Sequence, residues 1–440
     1  MTGAWWVVSA AVCGGFLWGV GRLARARAER PRRRWELAAL LMAAVAVRLA
    51  LAAGTKGYGP DVGTFSAWAG HAAEGLTSFY SPGYFADYPP GYIYVLWAVG
   101  KVRLLLGLEF GTPAFLVLLK LPAIAADAAA VWLFDRLARR EGWGAAALPV
   151  AALYAFNPAV IANSAVWGQV DGVFVLFLLA GVLLLERQPA GSGASFAAAL
   201  LVKPQALLFA PVPLLWFAVR LGRERSRRAA GDLLQFAGAG LVLFALGVLP
   251  FAAEREAGWI VAKYVGTLAS YPYATLNAFN LFALVGGNLA ATGDRLFFLT
   301  YGAWGTILVA LAVAFAAAVA VRGRGAARVW FLALFLAASA FVLSAKMHER
   351  YLFPAVPLAL GYFLSSRERW GLWLFAGFTV TQFLNTAEVL ALSVHEVYAV
   401  PRLDPLLLAV SLANVLLWGL AARAGYGRLR EPARPAAAAG

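Results

Sequence analysis

The sequence predicts an all-α polytopic membrane protein, and three observations carry that prediction. The 440-residue chain is 62% hydrophobic and 13% charged, against roughly 45–50% and about 25% in soluble domains. Apolar stretches near the ~20 residues that cross a bilayer as a helix recur from end to end. The arginines cluster in short connections between those stretches. They therefore mark topology rather than a nucleic-acid partner, despite a formal net charge of +15. The single cysteine, Cys13, excludes an internal disulfide, and His71, His348 and His395 are too scattered for a metal signature. No metal and no cofactor are expected.

The first span, near 4–21, has no basic residue before it and is followed by "RLARARAERPRRR". This reads as an N-terminus outside and no cleavable signal peptide. With the basic loops 22–34, 136–141, 220–228, 322–328 and 367–370 and the tail after Arg423 all inside, the remaining spans fall near 35–53, 114–135, 143–163, 171–186, 194–205, 206–219, 232–251, 296–321, 329–345, 351–365, 371–392 and 404–422. The expectation is thus about thirteen crossings in a multi-pass protein of the cell membrane. One transmembrane domain covers 1–430, and the Pro/Ala-biased 431–440 is a disordered cytoplasmic tail.

Two places need special treatment to keep this alternation. The segment 92–106 is placed as a helix in, or dipping into, the outer leaflet. The stretch 194–219 is read as two short arms meeting at "KPQ", with Pro204 as the break. The long polar connections 54–91 and 252–295 then face outside, together with "NSAVWGQVDG" (163–172), "KPQ" (203–205) and "KMHER" (346–350). Motifs that are not merely basic converge on one side.

In the first outer loop Asp61 follows a Gly-Pro turn. After it "DVGTFSAWAGHAAEGL" reads as a short juxtamembrane helix with Phe65, Trp68, Ala69 and Ala72 along one face. Asp61 lies at or near its N-cap and is the candidate general base, since a carboxylate at the membrane surface can take the proton of an acceptor hydroxyl. Asp87 and Tyr88, in "DYPPGY", are candidate substrate contacts, with a turn role for Asp87 as the alternative. Trp167 suits an interface belt, but Gln169 and Asp171 are not needed for anchoring. Stacking on a sugar and hydrogen bonds to its hydroxyls explain the mixture. Lys203, in an apolar stretch, costs roughly 2.5–3.5 kcal/mol at a bilayer centre unless it snorkels or meets an anion.

Lys346, His348 and Arg350 are cationic or potentially so, with Glu349 available to orient one of them. Converging cations make a phosphate site, and Lys203 and Gln205 of "KPQ" are candidates for the same site. Asp127, deep in a span, is expected to bond another helix. Asn277 and Asn280 either line a groove for substrate or brace the loop. There is no Walker loop, GxGxxG, HExxH or DxD motif, and no cytoplasmic segment is large enough for a nucleotide-binding domain. A sugar donor, if there is one, is lipid-linked.

In order along the chain, an acidic residue in the first outer loop, "YPPGYIYVL", "LKLPAIAADAAAVW", "NPAVIANSAVWGQVDG", "LLVKPQ", "NAFNLFAL" and "KMHERYLFPAVPL" resemble the bacterial membrane mannosyltransferases. That family is related to the enzyme adding the second mannose of the eukaryotic GPI anchor. The resemblance covers roughly residues 55–365. It implies the GT-C glycosyltransferase fold and inverting transfer from a polyprenyl-phosphate sugar on the outer face. The acceptor is a lipid, glycan or protein hydroxyl, and membrane lipids are the other partners. By the same likeness, Asp61 matches the first-loop aspartate taken as the base, and the cations of "KPQ" and "KMHER" match positions that bind donor phosphate. The extra helix before Trp35 departs from the family's usual start. The rival readings are a transporter or flippase of lipid-linked sugars, with Asp127 and Lys203 as coupling charges, and the same enzyme class with glucose or arabinose.

Overall fold

The computed structural model describes residues 3–25, 34–253, 255, 256, 258–323 and 326–430. The tail expected at 431–440 and most of the arginine-rich stretch after the first helix lie outside the described residues. The chain is 76% helical. Its helices follow the apolar runs: α1 (Gly3–Arg25), α2 (Arg34–Gly54), α3 (Gly59–Glu74), α4 (Pro90–Leu105), α5 (Pro113–Arg140), α6 (Ala147–Ala155), α7 (Pro158–Ile161), α8 (Asp171–Leu184), α9 (Pro189–Val202), α10 (Pro211–Glu224), α11 (Arg227–Val248), α12 (Trp259–Ala269), α13 (Leu281–Leu284), α14 (Tyr301–Arg322), α15 (Ala326–Leu343), α16 (Ala355–Ser366), α17 (Arg369–Ser393) and α18 (Pro405–Arg430). Four short strands complete the fold: β1 (Thr275–Leu276), β2 (Arg295–Leu296), β3 (Leu299–Thr300) and β4 (Met347–His348).

The membrane character is as expected, but the count of thirteen crossings is not reached. Among the described residues seven helices are long and apolar enough to cross a bilayer, or eight if the bent 144–167 segment is one span. The difference is mostly one of length; α17, at the span expected over 371–392, has 25 residues and falls short in apolar character instead, carrying Gln382, Asn385 and Glu388. α8 and α9 have 14 residues each, a rise of about 21 Å at ~1.5 Å per residue, short of a ~30 Å hydrocarbon core. α15 and α16 are also short apolar helices, and most of their side chains are buried inside the bundle. By contrast α11 leaves Leu234, Leu241, Val242 and Leu246 exposed; in water that pattern is costly, against lipid it is not.

The break expected at Pro204 is present, with different arms. α9 starts earlier, at Pro189, the backbone is extended at Lys203, and a 3-10 turn (Pro204–Phe209) leads into α10. Pro204–Glu224 is long enough to cross by itself, and α9 is not. The span expected at 143–163 is bent by 43° between Ala155 and Pro158. There Asn157 caps the next turn by accepting from the N–H groups of Ala159 and Val160, and it donates to Thr379 Oγ1 (2.8 Å). After α7 the chain continues as a π-helical turn, Ala162–Trp167.

Polar contacts inside the bundle set the position of this segment. Asp127 of α5 accepts from Arg48 Nε of α2 at 2.8 Å and from Ser164 Oγ in the π turn at 2.6 Å, the interhelical role expected for it. Lys120 of α5 donates to the carbonyls of Ala52 (3.3 Å) and Thr55 (2.8 Å) and so closes the C-terminus of α2.

α3 buries Phe65, Trp68, Ala69 and Ala72, the face its sequence marks, against α4. Gly100 is required there, because a Cβ at that position would lie 2.0 Å from the Ala69 carbonyl oxygen. The 252–295 connection reaches the "KMHER" segment through parallel pairing of β1 with β4, Thr275 opposite Met347 and Leu276 opposite His348.

Candidate functional site

Asp61 stands in the first turn of α3, after Gly59 and Pro60 and with Tyr58 at the N-cap. A helix N-terminus favours an anion there. Its Oδ2 accepts from Trp167 Nε1 (2.6 Å) and Gln169 Nε2 (2.8 Å), and Arg350 Nη1 lies 3.7 Å away. The π turn and the following residue create this arrangement. Gly168 ends the turn at φ 85, a left-handed conformation that favours glycine, and so Trp167 and Gln169 both reach Asp61. Tyr58 stacks on Trp167 at 4.4 Å and donates its N–H to the Trp167 carbonyl (3.0 Å).

Gln169 is a fixed crosspiece. Its Oε1 accepts from Tyr88 (3.1 Å), the Val170 N–H (2.8 Å) and Lys203 Nζ (3.3 Å), which assigns its Nε2 to Asp61. Lys203 is buried and ion-paired with Asp171 Oδ1. The other Asp171 oxygen accepts from Asn163 Nδ2 at 2.9 Å.

Arg350 is the hub between this layer and an open cleft. Nη1 lies 2.6 Å from Glu349 Oε1, and the guanidinium sits 5.9 Å from the Trp167 ring and 5.8 Å from the Tyr351 ring. The cleft, about 190 Å3, is lined by Asp87, Gln205, Tyr271, Lys346, Arg350 and Tyr351 among others. Lys346 has φ 64, uncommon for a side-chain-bearing residue. Its N–H donates to the carbonyls of Tyr273 and Ala274. Three buried polar atoms around the cleft have no partner among the described residues: Arg350 Nε, Gln205 Oε1 and His348 Nε2. Buried polar groups are normally satisfied, so these atoms are available to a ligand or to water.

Burial dominates the ionisation of the loop residues. It raises the Asp87 carboxyl above its ordinary range, although Arg350 and Lys203 oppose the shift. It raises Glu349, with Arg350 opposing. It pushes His348 well below the usual imidazole range, and Arg350 and Lys203 add to that. His348 is therefore neutral at pH 7.

The structure brings Asp61, Asp87, Tyr88, Trp167, Gln169, Asp171, Lys203, Gln205, Lys346, His348, Glu349 and Arg350 into one region, but it changes what several of them offer. Lys203 is neutralised by Asp171 and is no longer a free cation. His348 contributes no positive charge. Glu349 holds Arg350, the orienting part expected of it.

Asn277 and Asn280 take the bracing alternative. Asn277 is φ 52, donates to the Tyr398 carbonyl (2.8 Å) and accepts from the Val400 N–H (3.0 Å). Asn280 caps α13 and donates to the Phe341 carbonyl (3.1 Å). Their polar atoms are used by the fold.

Sequence reasoning missed Thr267, Tyr271 and Tyr351. Tyr351 bonds Gln205 Nε2 at 2.7 Å, and Tyr271 packs edge-on to His348 at 4.5 Å. Tyr351 directly follows "KMHER", which was a usable signal. Tyr271 and Thr267 carry none without the fold.

Among the described residues no group of three or more His, Cys, Asp or Glu is placed to hold a metal ion. No protein-family model matches the chain, and no curated protein matches it.

Proposed function

We propose that this chain is an inverting glycosyltransferase of the GT-C class. It moves a mannose-like sugar from a polyprenyl-phosphate donor to an acceptor hydroxyl at the outer face of the cell membrane. The observation that carries this reading is the cleft itself. A carboxylate, Asp87, and an arginine whose Nε has no partner among the described residues line one small cavity. A second carboxylate, Asp61, is held on the same arginine by two neutral donors. Sugar transfer from a phosphate to a hydroxyl needs these parts: a base for the acceptor and a cation for the leaving phosphate.

In this mechanism the acceptor O–H gives its proton to a carboxylate as the oxygen attacks the anomeric carbon. The bond from that carbon to the phosphate oxygen breaks on the opposite face, its electron pair leaves with the phosphate, and the configuration inverts. Arg350 and Lys346 receive the phosphate, and Gln205 Oε1, an acceptor, takes a hydroxyl of the donor sugar. Lys203 acts at one remove, by fixing Asp171 and Gln169. Asp61 is the base in the primary assignment. Asp87 is the second assignment, favoured by its place in the cavity wall and by burial, which brings its pKa nearer to the working pH.

The test is to incubate the purified protein in lipid with radiolabelled polyprenyl-phosphate mannose, glucose and arabinose, and to identify the product by mass spectrometry. Label moving to an acceptor with release of polyprenyl phosphate is the expected result. Label that crosses the bilayer still attached to its lipid overturns the proposal in favour of a flippase.

A further inference from the structure

We propose that the cavity beside the 80–88 loop at the N-terminal end of α12 binds the chain of an oligosaccharide acceptor, one or two sugar residues back from the reacting hydroxyl. The inference rests on the glycosyl-transfer reading for the identity of the neighbouring cleft.

α12 is two-faced. Val261 and Val265 are 63% and 61% exposed, while Trp259, Lys263 and Thr267 recur every four residues on another face. That second face meets the loop at three levels. The Trp259 ring lies 5.3 Å from the Tyr80 ring. Lys263 Nζ donates to the Ala86 carbonyl and sits 5.0 Å from the Tyr80 centroid. Thr267 Oγ1 donates to the Asp87 carbonyl at 2.8 Å.

The same helix face and the same loop therefore line two cavities in succession. At the Thr267 end is the reaction cleft with Asp87. At the other end is a larger cavity of about 660 Å3, lined by Tyr80, Tyr84, Arg255, Glu256, Trp259 and Lys263 among others. From Lys263 to Thr267 the helix rises ~6 Å, comparable with one pyranose residue.

The lining identifies the class of occupant. Tyr and Trp rings offer an apolar face with a polar edge, as the two sides of a sugar ring demand. Arg255 and Lys263 donate, Glu256 accepts, and a polyhydroxylated ligand uses both roles. A hydrocarbon tail uses neither. The volume lies within the ~300–1,000 Å3 of small-molecule sites.

The test uses the full-length protein in lipid nanodiscs, with binding measured by calorimetry. The probes are linear tetrasaccharides of mannose, glucose, arabinose and N-acetylglucosamine, each beside its methyl monosaccharide. At least one tetrasaccharide is expected to bind tenfold or more tightly than its monosaccharide. Trp259→Ala brings that ratio close to one without changing retention of radiolabelled polyprenyl-phosphate sugar. Because Trp259 packs on Tyr80, Glu256→Gln, at an exposed side chain, is the second variant and is expected to lower the ratio at least threefold. Equal binding of every tetrasaccharide and its monosaccharide overturns the proposal, as does a ratio unaltered in both variants. Chain-length-dependent binding that responds to Trp259→Ala, in a protein that transfers no sugar, supports the cavity and removes the transferase reading instead.

Discussion

Replacing Asp61 by asparagine separates the role of its charge from that of its shape. The side chain keeps its volume and one acceptor oxygen, so Trp167 Nε1 and Gln169 Nε2 retain a partner for the 2.6 and 2.8 Å bonds. Bonds to a charged group are worth about 1.5–3 kcal/mol and neutral ones about 0.5–1.5, so the folding cost is about 1–3 kcal/mol. Arg350 keeps its 2.6 Å contact with Glu349 and is not left bare. The chemical cost is larger. Loss of a general base removes about 10²–10⁴ in rate, or about 2.7–5.4 kcal/mol of barrier at ~1.36 kcal/mol per decade. The assay is initial-rate transfer from radiolabelled polyprenyl-phosphate mannose in nanodiscs, with donor retention and thermal unfolding measured on the same preparation. A loss of at least a hundredfold with donor retention intact supports Asp61 as the base. If Asp61→Asn turns over within tenfold of wild type while Asp87→Asn does not, the role passes to Asp87. If both variants keep wild-type rates, neither carboxylate is the base and the reasoning fails.

Three further outcomes test the supporting architecture. Lys203→Met leaves Asp171 buried without its cation and is expected to cost about 3–5 kcal/mol, most of it recovered in the double variant with Asp171→Leu; denaturant unfolding of the single and double variants checks this, and a double variant no more stable than the single one refutes the mutual compensation of the pair. Asp127→Leu strands Arg48 in the same way, with a similar loss of about 3–5 kcal/mol, and a melting temperature equal to wild type would contradict the buried bond. His348 has a folded pKa well below its unfolded one, so the unfolded chain takes the proton first as pH falls below ~6.5. Stability is expected to fall from there toward pH 5, and His348→Gln should flatten that slope in thermal unfolding followed across this range.

Residue by residue, the sequence made visible what depends on local chemistry. The inward face of α3 was legible because Phe65, Trp68 and Ala72 recur at helical spacing, and the break at Pro204 because proline lacks a donor. The bend at Asn157–Pro158 carried the same kind of signal, a capping residue before a proline, and was read through as one span. Asn277 and Asn280 were ambiguous because an asparagine's partners are chosen through space. Their bonds run to Tyr398, Val400 and Phe341, and nothing in "YPYATLNAFNLF" names those residues.

The membrane-embedded helical character of the chain was determined by the sequence alone, since the gain from placing apolar side chains in lipid adds up position by position along each run. How the charges are spent was decided only by the tertiary structure. Lys203 and Asp171 are 32 positions apart, Arg48 and Asp127 are 79 apart, and Asp61 meets Gln169 across 108. In a low-dielectric interior a charge is neutralised by whatever lies within a few ångströms. The folded distances, and not the motifs, therefore determine that Lys203 is spent on Asp171, while Arg350, shared between Glu349 and Asp61, still lines the cleft.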